Sequence, residues 1–254
     1  MSEATPLLSV RGLSKRFGGV RAVDHVDLDV AARETVALIG PNGAGKTTFY
    51  NLLSGRMQPT TGSVVFDGRD VTGLAPHRIS RLGISRSFQI TNVFPELSAR
   101  ENVEVALTAL HGKALRFFSR AAGDRELHDE AEALLGRLGL GALAASRAGT
   151  LSYGDKRLLE IAIVLATRPR LVLLDEPTAG MTPEETRGVV ALVRQLAQTS
   201  EYTFLITEHD MEVVFGLADR IVVMHRGAVL AQGSVDEIRA SRVVREAYLG
   251  EPDD

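Results

Sequence analysis

Four short apolar runs punctuate the chain: Thr35-Val36-Ala37-Leu38-Ile39, Leu171 to Leu174, Thr203 to Thr207 and Ile221 to Met224. A brief run without polar alternation predicts a strand buried on both faces, as in a parallel sheet. Between these runs apolar positions recur at helix spacing. Leu127, Ala131, Leu134, Leu135 and Leu138 form one such face, and Leu158, Ile161, Ala162 and Leu165 another. Thr182-Pro183-Glu184-Glu185 predicts a helix start with a threonine cap, an early proline and a glutamate placed to close a capping box. Val189, Leu192, Val193 and Leu196 then line one side of that helix. Alternating strands and helices predict an α/β fold around a parallel sheet. Two regions interrupt the alternation. Residues Leu7 to Val36 read as short strands broken at Gly18-Gly19 and Asp24-His25, followed by a hairpin over Gly62 to Val71 that turns at Asp67-Gly68. The stretch from about Asn92 to Arg168 reads as a helical insertion.

Composition narrows the chemistry. The 254 residues suffice for one large α/β domain. With 29 basic against 32 acidic residues there is no excess of positive charge to suggest a nucleic-acid partner. The absence of cysteine excludes disulfides, thiolate metal sites and cysteine nucleophiles. Met-Ser-Glu-Ala-Thr-Pro lacks the basic end and apolar stretch of a secretory signal. No apolar run approaches the roughly 18 residues needed to cross a bilayer, so the chain is expected to be soluble by itself.

The sharpest local signal is Gly40-Pro41-Asn42-Gly43-Ala44-Gly45-Lys46-Thr47, which fits G-x-x-x-x-G-K-[ST] between a predicted strand and a helix from Thr48 to Leu53. Its glycines let backbone N–H groups converge on phosphate oxygens, Lys46 would neutralise the β- and γ-phosphates, and Thr47 would hold Mg²⁺. The second apolar run ends in Asp175-Glu176. Asp175 is expected near Mg²⁺ and Glu176 as the general base that polarises an attacking water. The two segments are expected to meet at the carboxyl ends of neighbouring parallel strands, where α/β sheets bind ligands.

Further residues carry a family resemblance. Leu151-Ser152-Tyr153-Gly154-Asp155 precedes a predicted helix from Lys156 to Ala166, where Ser152 would act as its cap and leave N–H groups free. Gln89 lies in Ser87-Phe88-Gln89, His209 follows the strand Thr203 to Thr207, and Phe17 precedes the phosphate loop. In this order the chain resembles the ATP-binding subunits of ABC transporters over nearly its whole length. The resemblance implies a P-loop NTPase with a RecA-like parallel core, an antiparallel β-subdomain and an inserted helical subdomain. One nucleotide-binding domain is expected over 1–254, with residues 1–91 and 169–254 as the ATP-binding core and 92–168 as the helical subdomain.

The same resemblance implies the site residues. Phe17 would stack on adenine with Ala22 nearby, and Gly40 to Thr47 with Thr48 would bind the phosphates. Gln89 would approach Mg²⁺ and the water, and His209 the γ-phosphate. Leu151 to Asp155 would face ATP held by a partner subunit. The usual signature is L-S-G-G-Q, so Tyr153 and Asp155 depart from it. Ala179-Gly180-Met181-Thr182 stands where the family often has S-A-L-D, without its aspartate.

Leu159-Glu160-Ile161-Ala162, Glu208-His209-Asp210-Met211 and Ala247-Tyr248-Leu249-Gly250-Glu251 are most similar to the ATPases of branched-chain amino-acid importers. The implied assembly has two transmembrane permease subunits, a second ATPase subunit and an extracytoplasmic solute-binding protein, with this chain peripheral on the cytoplasmic face of the membrane. The stretch His111 to Asp124 falls where that subfamily has a longer helical subdomain, and its Phe117 and Phe118 are expected to pack. Import of urea or amides, export of lipopolysaccharide and a soluble, non-transport ABC ATPase are the alternatives. A small-molecule kinase or GTPase would leave Ser152 and His209 unexplained, and no N-K-x-D motif is present.

Overall fold

A computed structural model describes residues 5–87, 93–111, 125–199 and 202–249. Two sheets organise it. The first is antiparallel, in the order β2-β1-β4-β5, from β1 (Leu8–Phe17), β2 (Val20–Val30), β4 (Thr61–Phe66) and β5 (Arg69–Asp70). The second contains β3 (Thr35–Ile39), β6 (Ile84–Arg86), β7 (Leu171–Asp175), β8 (Thr203–Thr207), β9 (Arg220–His225) and β10 (Ala228–Gly233). Its order is β10-β9-β3-β8-β7-β6, parallel from β9 to β6, with β10 antiparallel at one edge.

All four apolar runs are strands, and every residue of β3, β7 and β8 is buried. Successive side chains of a strand point to opposite faces, so each central strand feeds two cores. Leu171 and Leu173 join the core under the antiparallel sheet and α1 (Lys46–Leu53). Val172 and Leu174 join the other core, shared with α3 (Ala99–Leu110), α4 (Arg125–Arg137), α5 (Tyr153–Ala166) and α6 (Pro183–Gln198). A third, smaller core lies under α7 (Met211–Leu217), α8 (Val235–Ala240) and α9 (Arg242–Leu249).

The predicted capping box of α6 is present. Thr182 accepts from the Glu185 amide, and the Glu185 side chain accepts from the Thr182 amide. The Asp67-Gly68 turn has positive φ at both residues, as its composition predicts. Asp24-His25 does not break the strand. It sits inside β2 as a bulge, with pairing that skips from Leu13↔Val26 to Lys15↔Val23. His25 takes φ 49°, and its amide donates to Ser14 Oγ at 2.9 Å, so one residue of β1 faces two of β2.

The short β6, the edge strand β10 and α2 (Pro76–Leu82) carry no periodic signal and were not anticipated. The phosphate-loop helix starts at Lys46 and the signature helix at Tyr153, each earlier than expected. Of the His111 to Asp124 stretch only His111 lies within the described residues, where it closes α3. No helix among the described residues is long and apolar enough to cross a membrane.

Candidate nucleotide site

The phosphate loop leaves β3 at Ile39 and enters α1 at Lys46. Gly45 is the helix N-cap with φ 102°, and a Cβ there would lie 2.2 Å from the carbonyl oxygen of Ala22. The loop can therefore nest against β2 only with glycine at this position. Ala22 thus packs beside the loop. The Gly227 amide, in the turn between β9 and β10, donates to the Ala44 carbonyl at 3.0 Å, and Gly227 packs beside Ala22 against the loop. Among the described residues no side chain caps α1. Its leading N–H groups and positive dipole end can therefore receive an anion, with Thr47 exposed and Thr48 half-buried there.

Lys46 is buried and folds back on the loop. Its Nζ donates to the Gly40 carbonyl at 2.5 Å and to that of Pro41 at 3.2 Å. Burial pushes its ammonium below the ordinary lysine range, and the nearby negative charges of Glu176 and Asp175 oppose that shift. The phosphate-loop lysine and the two acids therefore share one electrostatic environment.

Strands β3 and β7 are not neighbours, contrary to the sequence expectation, because β8 lies between them. Thr207, at the end of β8, makes the connection. Its hydroxyl donates to Asp175 Oδ1 at 2.7 Å. The Glu176 amide is directed at the Thr207 carbonyl (3.0 Å) and hydroxyl (3.2 Å). Asp175 Oδ2 pairs with Arg86 at 2.6 Å, and both side chains are buried. Arg86 also donates to Asn51 Oδ1 at 2.7 Å and lies 5.4 Å from the Tyr50 ring centroid. With both carboxylate oxygens held by protein groups, Asp175 suits contact with a metal through water. Mg²⁺ commonly keeps several waters beside one or two carboxylates and substrate phosphates, so Thr47 and Asp175 fit it on those terms. No cluster of three or more His, Asp or Glu able to hold a metal occurs among the described residues.

Glu176 adopts φ 48°, an uncommon backbone conformation for a non-glycine residue. Its Oε1 lies 2.8 Å from His209 Nε2, where the ring N–H donates to the carboxylate. This pair spans from the end of β7 to the residues after β8. Behind it, the Glu208 carboxylate is buried and accepts from the Thr178 amide (2.9 Å), the Thr178 hydroxyl (2.7 Å) and the His209 amide (3.2 Å). Burial raises the Glu208 carboxyl above the usual carboxylate range.

The signature segment is built differently from the expectation in one respect. Ser152 caps α5, accepting from the Asp155 amide at 3.1 Å and donating to Asp155 Oδ2 at 2.7 Å. The helix-end N–H groups are not all free, because the Gly154 amide donates to Glu185 Oε1 at 3.2 Å. Leu151 is buried beneath the turn and Tyr153 is exposed above it. Phe17 ends β1 with 48% of its surface exposed, beside the more open Val20, and the Lys15 ammonium lies 5.4 Å from its ring centroid. Gln89 lies outside the described residues.

Sequence reading missed Arg86, Thr207, Glu208 and Glu185 as parts of the site. Glu185 was legible only as a helix cap. Arg86 sits in a strand of three residues, too short to show a period. The roles of Thr207 and Glu208 depend on which strands are adjacent.

A family model described as ABC transporter matches residues 23–179, and one described as branched-chain amino acid ATP-binding cassette transporter matches residues 228–254. The chain is 43% identical over 251 residues to the high-affinity branched-chain amino acid transport ATP-binding protein BraF of Pseudomonas aeruginosa, covering 97% of this chain and 98% of that protein. It is equally similar, with the same coverage, to the high-affinity branched-chain amino acid transport ATP-binding protein LivG of Escherichia coli. Among solved structures, an ATP-binding cassette of an ABC transporter in its ADP conformation aligns with TM-score 0.85 and 29% identity, covering 97% of this chain and 99% of that one. A dimeric cassette in a post-hydrolysis state bound to ADP and Pi aligns with TM-score 0.76 and 26% identity, covering 90% and 98%. On the phosphate loop, the paired acids after β7, the signature turn and these similarities together, the chain belongs to the ABC transporter family as one of its ATP-binding subunits.

Proposed function

We propose that the protein hydrolyses Mg²⁺–ATP to drive a membrane importer of branched-chain amino acids. The observation that carries the hydrolytic part is the Glu176–His209 pair at 2.8 Å, in the same electrostatic environment as Lys46 of the phosphate loop. The likeness to BraF and LivG supports the cargo. In this reading residues 1–91 and 169–254 form the nucleotide-binding core and 92–168 a helical arm. Two permease subunits, a second ATPase subunit and an external solute-binding protein complete the assembly, with the chain bound at the cytoplasmic face of the membrane.

The chemistry follows from placement. The α1 amides from Lys46 to Thr48 and the loop glycines hold the β- and γ-phosphates. Lys46 leaves its backbone carbonyls for the more strongly charged phosphate oxygens. Phe17 covers the adenine. Thr47 and, through water, Asp175 would hold Mg²⁺, with Gln89 expected to approach it, and the ion would neutralise charge on the phosphates. Glu176 accepts a proton from, or orients, the attacking water. His209, now held on Glu176, keeps that carboxylate aimed and turns its N–H toward the γ-phosphate as charge develops. Ser152 and its turn face the nucleotide held by the partner ATPase subunit, so each chain contributes half of two sites.

Two variants test this. Glu176→Gln is expected to bind ATP with near-normal affinity and to lose turnover by about a hundredfold or more, the scale of general-base catalysis. Lys46→Ala is expected to lose nucleotide binding itself, measured with a fluorescent ATP analogue. Normal hydrolysis by both variants would overturn the site.

A further inference from the structure

The chain departs from the family pattern at two places: Tyr153 in the signature, and the missing aspartate in the loop after Glu176. The structure joins them. Tyr153 Oη donates to the Ala179 carbonyl at 3.1 Å, across the surface from α5 to that loop. Its ring packs on Gly180, where a Cβ would lie 3.5 Å from it. One residue on, the Gly154 amide donates to Glu185 Oε1. The other oxygen of that carboxylate accepts from the Thr182 amide and hydroxyl, both at 2.9 Å. Glu185 fills the space beside Gly154 so closely that a Cβ there would lie 2.6 Å from its Oε1. The loop is in turn tied to the hydrolytic pair. The Ala179 amide donates to the Glu176 carbonyl at 3.1 Å, and Thr178 is held by Glu208, which also accepts from the His209 amide.

We propose that Tyr153 and Glu185 are positioning residues for ATP hydrolysis, coupling the signature turn to the loop at 178–182 and through it to Glu176 of the same chain. The proposal rests on the nucleotide site described above. Nucleotide of the partner subunit, arriving at the Ser152 turn, then acts on the geometry of this chain's own Glu176 through Tyr153–Ala179 and Gly154–Glu185. A glycine at 153, as in the usual signature, supplies neither the hydroxyl nor the ring. A hydrogen bond at this half-exposed position contributes little to folding, so its loss should appear in turnover more than in stability.

The test uses the purified full-length chain with Mg²⁺–ATP. Tyr153→Phe removes only the hydroxyl. It is expected to lower kcat about three- to tenfold, the range of one lost hydrogen bond. KM, affinity for a fluorescent ATP analogue and Tm should stay close to the parent's. Ser234→Ala is the structural control. It removes the equivalent cap hydroxyl from α8, which takes no part in the proposed coupling, and should lower Tm with kcat within about twofold. Hydrogen exchange gives a readout independent of turnover. In the parent, ATP should protect the amides at 153–155 and 178–182 together. In Tyr153→Phe and Glu185→Ala it should protect the first group without the second.

Parental kcat and joint protection in Tyr153→Phe would overturn the coupling. A loss of kcat in Ser234→Ala equal to that in Tyr153→Phe would reduce the effect to general destabilisation and overturn the coupling too. Glu176→Gln is measured alongside. If it hydrolyses ATP normally, the nucleotide-site reading fails and the coupling with it. If it is inactive while Tyr153→Phe behaves as the parent, only the coupling fails.

Discussion

At the residue scale the site is a set of charges held by particular partners. Asp175 is the clearest case, with one oxygen on Thr207 and the other on Arg86. Because both members of that ion pair are buried, removing the cation leaves an uncompensated carboxylate. Arg86→Met is expected to cost about 3–5 kcal/mol, the usual penalty for breaking a buried pair from one side. At roughly 2–4 °C per kcal/mol for a chain of this size, calorimetry should show a fall in Tm of at least about 6 °C. A fall of a degree or less would mean that solvent reaches Asp175. Glu208 makes a second prediction, with a definite sign. Its carboxyl is raised by burial, so the folded chain holds that proton more tightly than the unfolded chain. Its contribution is then most favourable at low pH and declines as pH rises from the ordinary carboxylate range through the raised value. As pH rises above the ordinary carboxylate range, the parent should lose Tm relative to Glu208→Gln. A gap that does not vary with pH would remove the burial argument.

At the element scale the phosphate loop was legible because its constraint is local. Glycine at 40 and 45, lysine at 46 and threonine at 47 are needed by backbone geometry and phosphate charge wherever the loop sits. The expected start of α1 was late by two residues, since Lys46 is already helical behind a left-handed Gly45. Gly45→Ala meets two obstacles, a φ of 102° and the Ala22 carbonyl 2.2 Å from the new Cβ. Relieving them requires the loop to leave β2. The expected result is a loss of ATP affinity greater than tenfold together with a lowered Tm, read by nucleotide titration and thermal melting. Unchanged affinity would show that the loop does not depend on this contact. Asp24-His25 illustrates the opposite situation. A polar pair in an alternating strand is compatible with a break or a bulge, and only the opposing Ser14 hydroxyl on β1 decides for the bulge. The capping box of α6 was read correctly as a helix start, yet the same glutamate also reaches Gly154 of another helix. Spacing within one element carries no information about that second contact.

At the scale of the whole molecule, the parallel sheet brings residues more than 150 positions apart to one rim. Thr207 at the end of β8 and Asp175 at the end of β7 meet there, beside a phosphate loop at residues 40–47. The proposal that each chain contributes half of two sites leads to a prediction for the assembly. In the Glu176→Gln background, ATP with Mg²⁺ should drive the chain into a dimer, alone or with its second ATPase subunit, as followed by sedimentation. ADP should not. In cells, deletion of the gene should abolish high-affinity uptake of labelled leucine, and the parent chain should restore it where Lys46→Ala does not. Unchanged leucine uptake with a failure of urea uptake would transfer the protein to the alternative cargo.

The amino-acid sequence by itself determined the elements whose causes are short-range. These are the buried strands, the amphipathic helices, the capped starts at Ser152 and Thr182, and the glycine-rich loop that can accept phosphate. It also carried enough ordered motifs to identify the family. Tertiary structure alone decided which strand separates β3 from β7, which cation neutralises Asp175, and which loop the signature turn is fastened to. The physical reason is the range of the forces involved. Backbone conformation and helix capping are set within four residues of chain, whereas a buried carboxylate is satisfied by whatever donor the packing of distant strands places within about 3 Å of it.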